Sequence, residues 1–514
     1  MWELPTRARK SAETSSVHSD DPPPHIFHDP SRLSNDGEFN RGDGWRMEYA
    51  EATDRLLASY RSIPRSATVR LAKKTSNLFR TRAAANAPGL DVTGLDRVFA
   101  VDAEAMTADV GGMCTFEHLV AATLPHGLAP LVVPQLKTIT IGGAITGGGI
   151  ESTSFRNGLS FECMAEIDVL TGAGEIATAS PTENAELFYG FPNSYGTLGY
   201  ATRVTVKLEP IKPYVALRHL RFGSVIELQN ALATIVDERR YDGVAVDYLD
   251  GVVFSRSESY LTLGTLTEEP GGTSDYTGQQ IYYKSIGSRS TDRLTIHDYL
   301  WRWDTDWFWC SRAFGAQQPI IRRLWPKRLL RSSFYWKLVA LDRRFDIANR
   351  LERLHKRPPF ERVVQDIEVP IGNTAAFVDW FLDNIPIEPV WLCPLRLPAG
   401  AGPRVAGVTA RSDEPTWPLY PIPPGRTYVN VGFWSVVPQN LHQDRPGQVE
   451  GATNRVIERR VTELGGHKSL YSDAYYSPDE FAELYGGETY ATLKAYYDPE
   501  SRLLNLYDKA VRRK

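Results

Sequence analysis

The stretch that decides the fold runs from Thr140 to Ser152 and reads TIGGAITGGGIES. Its glycines are Gly142, Gly143, Gly147, Gly148 and Gly149. Glycine clusters occur where the backbone must approach a partner closely or adopt a positive φ. Hydroxyl side chains surround them and the first carboxylate is Glu151, so backbone N–H groups and hydroxyls are suited to hold a diphosphate. A plain glycine-rich turn is the alternative, because the stretch is neither a Walker loop nor a clean G-x-G-x-x-G pattern.

The composition is that of a globular protein and excludes several functional classes. A chain of 514 residues with 42% hydrophobic and 23% charged residues can form two to four domains. Its net charge of −4 provides no general basic field for nucleic acid. The four cysteines are scattered and the ten histidines lack metal-ligand spacing, so we expect reduced thiols, a cytosolic protein and no metal. No apolar run approaches the roughly 18–20 residues that span a bilayer.

Local patterns predict order from about Trp45 onward, after a polar, proline-containing arm that we expect to be disordered or loosely attached. Apolar spacing predicts helices at 47–59, 116–124 and 183–189, with Thr115 as the N-cap of the second. Alternation predicts strands at 66–71, 97–103, 166–170, 175–179 and 201–208.

Four motifs follow one another in a recognisable order: VDAEAMTADVGGM (101–113), the glycine stretch, IDVLTGAGE (167–175) and SYGTLGYATRVTVKLEP (194–210). This order resembles the PCMH-type FAD-binding domain of the flavoenzymes related to vanillyl-alcohol oxidase, over about residues 60 to 215. The resemblance implies an α+β fold in which the flavin diphosphate and the adenine end lie on the loops 73–77, 138–154 and 196–199.

The FAD-binding residues that the resemblance implies are Lys73, Lys74, Thr75, Ser76, Asn77, Thr138, Thr140, Ile141, Gly142, Gly143, Gly147, Gly148, Gly149, Glu151, Ser152, Ser154, Gly196, Thr197, Gly199 and Lys494. Many relatives attach FAD through a histidine in the first loop, which this chain lacks, so we expect noncovalent FAD. Lys73 and Lys74 add charge against the diphosphate or form a solvated pair. Glu151 adjoins the flavin or is structural, and Lys494 lies near the flavin or on a helix surface.

Motifs of the second half resemble the Δ24-sterol reductase (Diminuto/Dwarf1-like) branch: VVQDIEVP (363–370), PVWLCPL (389–395), YYSPDEF (475–481) and YDKA (507–510). The resemblance implies NADPH-dependent reduction of an isolated carbon–carbon double bond in a lipid, either a sterol side chain or an unsaturated or methylene-branched acyl chain. It also implies two domains, a PCMH-type FAD-binding domain and an α/β substrate cap. The predicted divisions are an arm at 1–44, the FAD domain at 45–210, the cap at 211–479 and a returning segment at 480–514.

Reduction of a lone alkene needs a hydride from reduced flavin and a proton from an acid in a dry site. The candidates for the acid are Asp366, Glu368, Tyr471 and Tyr475, among which the sequence does not choose. Cys393 lines the pocket or is a small core residue. Two other functions stay open: an alcohol or aldehyde oxidase that uses oxygen, and a non-catalytic flavin- or lipid-binding protein.

The segment 301–345 interleaves tryptophan and other aromatic residues with arginine and lysine, and it has no acidic residue between Arg312 and Lys337. Such a mixture favours the interface of an anionic membrane, and we expect a cytoplasmic, peripherally membrane-associated protein that could form homo-oligomers. Single-stranded nucleic acid accepts the same residues but has no other support here. An ordinary cap with buried tryptophans and solvated arginines is the alternative.

Overall fold

The structure is a computed structural model that describes residues 44–72, 79–80, 89–345, 349–350, 358–398, 416–439, 441–442 and 451–513. The predicted FAD-binding residues Lys73, Lys74, Thr75, Ser76 and Asn77 lie outside the described residues, as does nearly all of the predicted N-terminal arm.

The described elements are mixed helices and strands, as an α+β fold requires. The strands are β1 (Val98–Asp102), β2 (Thr107–Gly111), β3 (Leu128–Pro130), β4 (Met164–Thr171), β5 (Ile176–Ala179), β6 (Gly199–Pro210), β7 (Tyr214–Phe222), β8 (Arg240–Tyr241), β9 (Val244–Ala245), β10 (Tyr248–Ser255), β11 (Glu258–Thr267), β12 (Thr291–Thr295), β13 (Phe360–Pro370), β14 (Val390–Arg396), β15 (Thr427–Pro438) and β16 (His467–Lys468). The helices are α1 (Gly44–Ser62), α2 (Phe116–Thr123), α3 (Ile141–Gly147), α4 (Ser154–Asn157), α5 (Ala185–Gly190), α6 (Val225–Glu238), α7 (Tyr282–Ile286), α8 (Ile296–Leu300), α9 (Pro319–Leu324), α10 (Ser332–Phe345), α11 (Thr374–Asn384), α12 (Ala452–Glu463), α13 (Pro478–Leu484), α14 (Gly487–Tyr497) and α15 (Leu506–Ala510).

The first sheet confirms the strand pattern predicted for the first half of the chain. Its strands run in the order β1-β2-β6-β4-β5, with β3 paired to β6, and all its pairs are antiparallel. Alternating residues of β6 are buried, which gives the sheet one face against the core. The predicted strand at 66–71 is wrong. This segment makes a single bridge, from Leu71 to Leu90, and the Val69 N–H instead bonds to the Arg502 carbonyl of the C-terminal segment.

The glycine stretch, expected as a loop, contains the helix α3. Thr140 caps this helix, and its side-chain oxygen accepts the Gly143 N–H at 3.3 Å. Gly148 ends it with φ of +71°, a conformation that glycine adopts without strain. A Cβ on Gly142 would lie 2.8 Å from the Gly112 carbonyl oxygen, so this glycine permits the helix to pack against the first sheet.

The second sheet is antiparallel, in the order β12-β7-β11-β10-β14-β15-β13-β16. Helices α6, α11 and α12 contribute to the apolar core on one side of it. Buried residues of both sheets, such as Ile167 of β4 and Trp391 of β14, belong to one continuous core. Residues Arg41–Lys514 form one compact unit, and the predicted divisions at 210 and 479 stay predictions. No helix among the described residues is long and apolar enough to cross a membrane.

Candidate functional site

Three segments that are distant in the sequence meet around the side chain of Tyr195. Its hydroxyl donates to the Gly147 carbonyl at 3.1 Å, at the end of the glycine stretch, and lies 3.4 Å from Ser469 Oγ. The Arg80 guanidinium lies over its ring, 4.7 Å from the centroid. The structure therefore joins the predicted loops 138–154 and 196–199 to the segment that follows β16.

The loop that carries Tyr195 has an unusual backbone. Asn193 and Tyr195 have φ of +62° and +51°, and Gly196 follows with +73°. Positive φ is costly for a residue with a side chain, above all for a bulky one, and such strain concentrates at functional sites. Asn193 Oδ1 and Ser194 Oγ are buried and have no hydrogen-bond partner among the described residues. Buried polar atoms of this kind require a partner, and a polar ligand can provide one.

A carboxyl group lies beside this loop on the second sheet. Asp366 of β13 is directly opposite Gly432 of β15, and its Oδ1 accepts a hydrogen bond from Asn430 Nδ2 at 3.1 Å. The Tyr471 hydroxyl also interacts with the Asp366 carboxyl, and it accepts the Trp434 indole N–H at 2.8 Å. Asp366 is only partly buried, so a small reacting group can reach it.

Burial controls the protonation of this cluster. It raises the pKa of Asp366 to about 6, while Asn430, Tyr471 and Lys468 act in the opposite direction. Burial, followed by the charge of Asp366, raises the pKa of Glu368 well above its ordinary value. The same two causes raise the pKa of Tyr471 well above 10. At neutral pH the Tyr471 hydroxyl therefore holds its proton, and Asp366, whose pKa is about 6, titrates just below neutrality.

His467 and Lys468 of β16 close the far side of β13. The His467 ring packs against Tyr420 with the ring centroids 4.7 Å apart, and its Nε2 has no partner among the described residues. Burial lowers the pKa of His467 to about 3, so the ring is neutral. Burial also lowers the pKa of Lys468, whose ammonium donates to the Asp473 carbonyl at 3.0 Å. Neither of these residues, nor Tyr195, is among the site residues predicted from the sequence.

An aromatic wall, consisting of Phe79, Phe308, Trp309 and Trp434, lies next to the carboxyl cluster. The Trp434 ring lies 4.4 Å from Phe308 and 5.4 Å from Trp309, centroid to centroid. The Phe79 ring meets the edge of Tyr471 at 5.8 Å. Of the four acids predicted from the sequence, Asp366 and Tyr471 lie at this wall. An apolar surface beside a protonatable group is suited to a hydrocarbon substrate.

Glu151, Ser152 and Ser154 make protein contacts in the interior. Glu151 forms an ion pair with the fully buried Arg302 at 2.9 Å and accepts the Ser152 hydroxyl at 2.8 Å. Arg302 also pairs with Asp250 of β10 at 3.0 Å. Ser154 Oγ accepts the Glu151 N–H at 3.1 Å. Of the two roles left open for Glu151, the structure favours the structural one.

Several backbone N–H groups of the glycine stretch are already bonded within the protein. The Ile141 N–H donates to the Cys114 carbonyl and the Gly142 N–H to the Gly112 carbonyl. The Gly143 N–H donates to the Thr140 hydroxyl, which caps the helix. The diphosphate cradle expected from these three groups is therefore not available in this conformation. Gly149 has a packing role, because a Cβ there would lie 2.7 Å from Pro134. The assignment of Thr138, Thr140, Gly147 and Gly148 to FAD stays a prediction.

Lys494 and Cys393 do not lie free at the site. The Lys494 ammonium donates to Asp498 at 2.6 Å, to the Thr197 carbonyl at 2.8 Å and to the Leu503 carbonyl at 2.9 Å. It has no donor left for a flavin, and it instead holds the loop before Gly199 in place. Cys393 is fully buried, and its thiol donates to the Glu151 carbonyl at 3.1 Å, which favours the core residue over a pocket residue.

Tyr475, the fourth candidate for the acid, packs against Gly451 and Arg513. Its ring packs over Gly451, and the Arg513 guanidinium lies 5.2 Å from the ring centroid. The structure brings together Asp366, Glu368 and Tyr471.

The chain is similar in sequence to several known proteins. Residues 53–180 match the FAD binding domain family. The human Δ24-sterol reductase is 26% identical over 427 residues, which are 80% of this chain and 75% of that protein. Its Caenorhabditis elegans homologue is 24% identical over 457 residues, 83% of this chain and 79% of that protein. Cytokinin dehydrogenase 6 of rice is 28% identical over 200 residues, 36% of this chain and 38% of that enzyme.

Over four fifths of its length the chain is thus similar to flavoproteins, and residues 53–180 match an FAD binding domain. These flavoproteins are oxidoreductases, and the site described above fits FAD in two respects. The unpartnered atoms of Asn193, Ser194 and His467 offer hydrogen bonds to a large polar ring system, and Gly147 and Gly148 of the glycine stretch approach the neighbouring Tyr195 and Tyr420 rings. FAD bound at this site would be held by the loop 193–199 and the end of the glycine stretch, with the unpartnered His467 Nε2 as a further hydrogen-bonding group.

Proposed function

We propose that the protein reduces an isolated carbon–carbon double bond of a lipid with NADPH as the electron source, and that its FAD is noncovalent. The observation that carries the proposal is the partly buried Asp366, with a pKa of about 6, beside the aromatic wall. Similarity to Δ24-sterol reductases over four fifths of the chain supports a sterol side chain or a branched or unsaturated acyl chain as the substrate. FAD, when bound, supplies hydride transfer.

The protein contributes the proton. Asp366 is the acid that we assign, because its pKa lies near the working pH and a general acid is most effective there. Asn430 donates to one oxygen of its carboxyl and thereby fixes the orientation of the group. Tyr471 positions the carboxyl from the other side, and the Trp434 indole N–H fixes the Tyr471 hydroxyl in turn.

The aromatic wall has a second task, which is to exclude water. Protonation of an alkene builds positive charge on a carbon, and water would capture that carbon before the hydride arrives. The rings of Phe308, Trp309 and Trp434 offer an apolar surface, and their π faces favour a cationic centre. A hydrocarbon bound there is both desolvated and close to Asp366.

The two half-reactions test the proposal separately under anaerobic conditions. We expect NADPH to bleach the oxidised-flavin absorbance of the wild type and of Asp366→Asn at similar rates. Reoxidation by a lipid alkene should slow by about 10²–10⁴-fold in Asp366→Asn, the usual contribution of a general acid. Tyr471→Phe should show a smaller loss, and the exposed Asp383→Asn should show none.

Other results would overturn the proposal. Bleaching by simple alcohols, with recovery in oxygen and no response to NADPH, would establish an oxidase. Purified protein that takes up no FAD would establish a non-catalytic binding protein. Equal reoxidation rates in Asp366→Asn and wild type would remove Asp366 as the acid while leaving the reductase in place.

A further inference from the structure

The segment around α9 presents a basic-aliphatic face, which we define as Ile320, Arg323, Leu324, Lys327 and Arg328. The Ile320 and Leu324 side chains are 77% and 78% exposed, and they lie four residues apart on the same side of α9. Exposure of this degree is unusual for two neighbouring large aliphatic residues. Such a pair leaves an apolar surface without a partner among the described residues.

The aromatic residues of 301–345 behave differently from the sequence expectation. Trp303 and Trp309 are 1% and 0% exposed, and Trp301 and Trp307 are also buried. They belong to the interior and are not available to a membrane. Aliphatic and basic side chains of α9 and of the turn that follows it do reach solvent.

The charges of this face are unbalanced. Arg322 turns inward, where it pairs with the buried Asp306 at 2.6 Å and 3.0 Å. Arg323, Lys327 and Arg328 are exposed, and none of them forms an ion pair with a residue that the structure describes. The nearest acidic residues in the chain lie before Arg312 and after Lys337.

We propose that the basic-aliphatic face docks the protein on the surface of an anionic bilayer. Aliphatic side chains that enter the acyl boundary, flanked by cations at the level of the headgroups, are the pattern of interfacial helices. A second copy of the chain is a poorer occupant, because a two-fold contact would bring the same unpaired cations against each other. The proposal does not depend on the reaction proposed above.

Vesicle cosedimentation of the FAD-loaded full chain tests the proposal. We expect binding to vesicles of phosphatidylcholine with phosphatidylglycerol, weak binding to phosphatidylcholine alone, and loss of binding at about 0.5 M NaCl because salt screens the charges. The double variant I320S/L324S should bind at least about tenfold more weakly, since two aliphatic side chains no longer enter the acyl boundary. R328E should weaken binding several-fold to the anionic vesicles.

Matched variants elsewhere on the surface serve as controls. Ile226→Ser removes an aliphatic side chain of 50% exposure, and K212E reverses an exposed charge; both should bind as the wild type does. Flavin absorbance and thermal unfolding establish that every variant is folded. Unchanged binding in I320S/L324S and R328E would overturn the proposal. A concentration-dependent dimer that I320S/L324S dissociates, without vesicle binding of the wild type, would also overturn it and assign the face to a second copy.

Discussion

Replacing Arg302 by methionine would expose how much of the structure depends on one buried ion network. The guanidinium is fully buried, lies 2.9 Å from Glu151 and 3.0 Å from Asp250, and donates to the Tyr299 carbonyl at 2.9 Å. Its carbon also lies 3.9 Å from the centroid of the Tyr299 ring. Methionine fills a similar volume with an apolar chain, so the substitution removes the charge and the hydrogen bonds while keeping much of the packing.

The expected loss of unfolding free energy follows from the two carboxylates that Arg302→Met leaves in the interior. In the variant Glu151 still accepts the Ser152 hydroxyl, and Asp250 still accepts the Trp391 indole N–H at 3.2 Å. Neither carboxylate retains its ion pair with Arg302. Removing one partner of a buried ion pair costs about 3–5 kcal/mol of unfolding free energy, because a charge stays buried without compensation. We expect Arg302→Met to lie in that range. Arg256→Met, which removes an exposed pair with Asp383, should cost at most about 1 kcal/mol.

Unfolding in guanidinium chloride, monitored by tryptophan fluorescence at pH 8 and pH 5, measures the loss of unfolding free energy and its dependence on pH. Burial already raises the pKa of Glu151, and loss of Arg302 raises it further. A carboxyl whose folded-state pKa is raised destabilises the protein as pH rises from the unfolded-state value, about 4.3, through the folded-state value. The deficit of Arg302→Met relative to wild type should therefore be larger at pH 8 than at pH 5.

A second substitution separates the charge from the packing. Adding Glu151→Gln to Arg302→Met neutralises one stranded carboxylate and should recover about 1–3 kcal/mol, a coupling typical of contacting residues. A deficit below about 1 kcal/mol in Arg302→Met, equal deficits at the two pH values, or no recovery in the double variant would refute this account of the network.

Two further predictions follow from the described side chains. Burial lowers the pKa of His219 to about 4, below the unfolded-state value of about 6.5. The protein therefore loses unfolding free energy as pH falls from about 6.5 towards 4, at up to about 1.4 kcal/mol per pH unit. His219→Gln should flatten this pH dependence between pH 7 and 5, whereas substitution of the exposed His118 by Gln should leave it unchanged. Gly432→Ala should lower the melting temperature and slow alkene reduction, because its Cβ would lie 2.7 Å from the Trp434 ring and against Asp366; the same Tm as wild type would contradict this.

The strands of the first sheet could be predicted because their pattern is local. Alternation at 166–170 and 175–179, with a Gly-containing turn between, became β4 and β5. The helix α3 could not be predicted in this way, because four of its seven residues are glycine or threonine, which are poor helix formers. It forms through tertiary bonds, such as that from the Gly142 N–H to the Gly112 carbonyl.

The site was predictable by residue type but not by geometry. Asp366 lies in the motif 363–370 and Tyr471 lies shortly before the motif 475–481, and the structure places the two side chains together. Tyr195 carries no such signal, since its positive φ depends on contacts made by residues far along the chain. The burial of the tryptophans of 301–309, by contrast, has a signal in the sequence, because Asp304 and Asp306 lie among them. Two carboxylates among tryptophans indicate a hydrogen-bonded interior rather than a lipid-facing surface.

The second sheet determines the position of the backbone that follows the glycine stretch. The Leu249 N–H of β10 donates to the Ser152 carbonyl at 2.8 Å, the Cys393 thiol of β14 donates to the Glu151 carbonyl, and Arg302 holds the Glu151 side chain. The same sheet carries Asp366 on β13. The backbone that the sequence assigns to the cofactor and the carboxyl that we assign to the proton are thus held by one antiparallel framework, and their separation is fixed by its register. This explains why the acid of β13 can be kept at a constant distance from a glycine stretch more than 200 residues earlier in the chain.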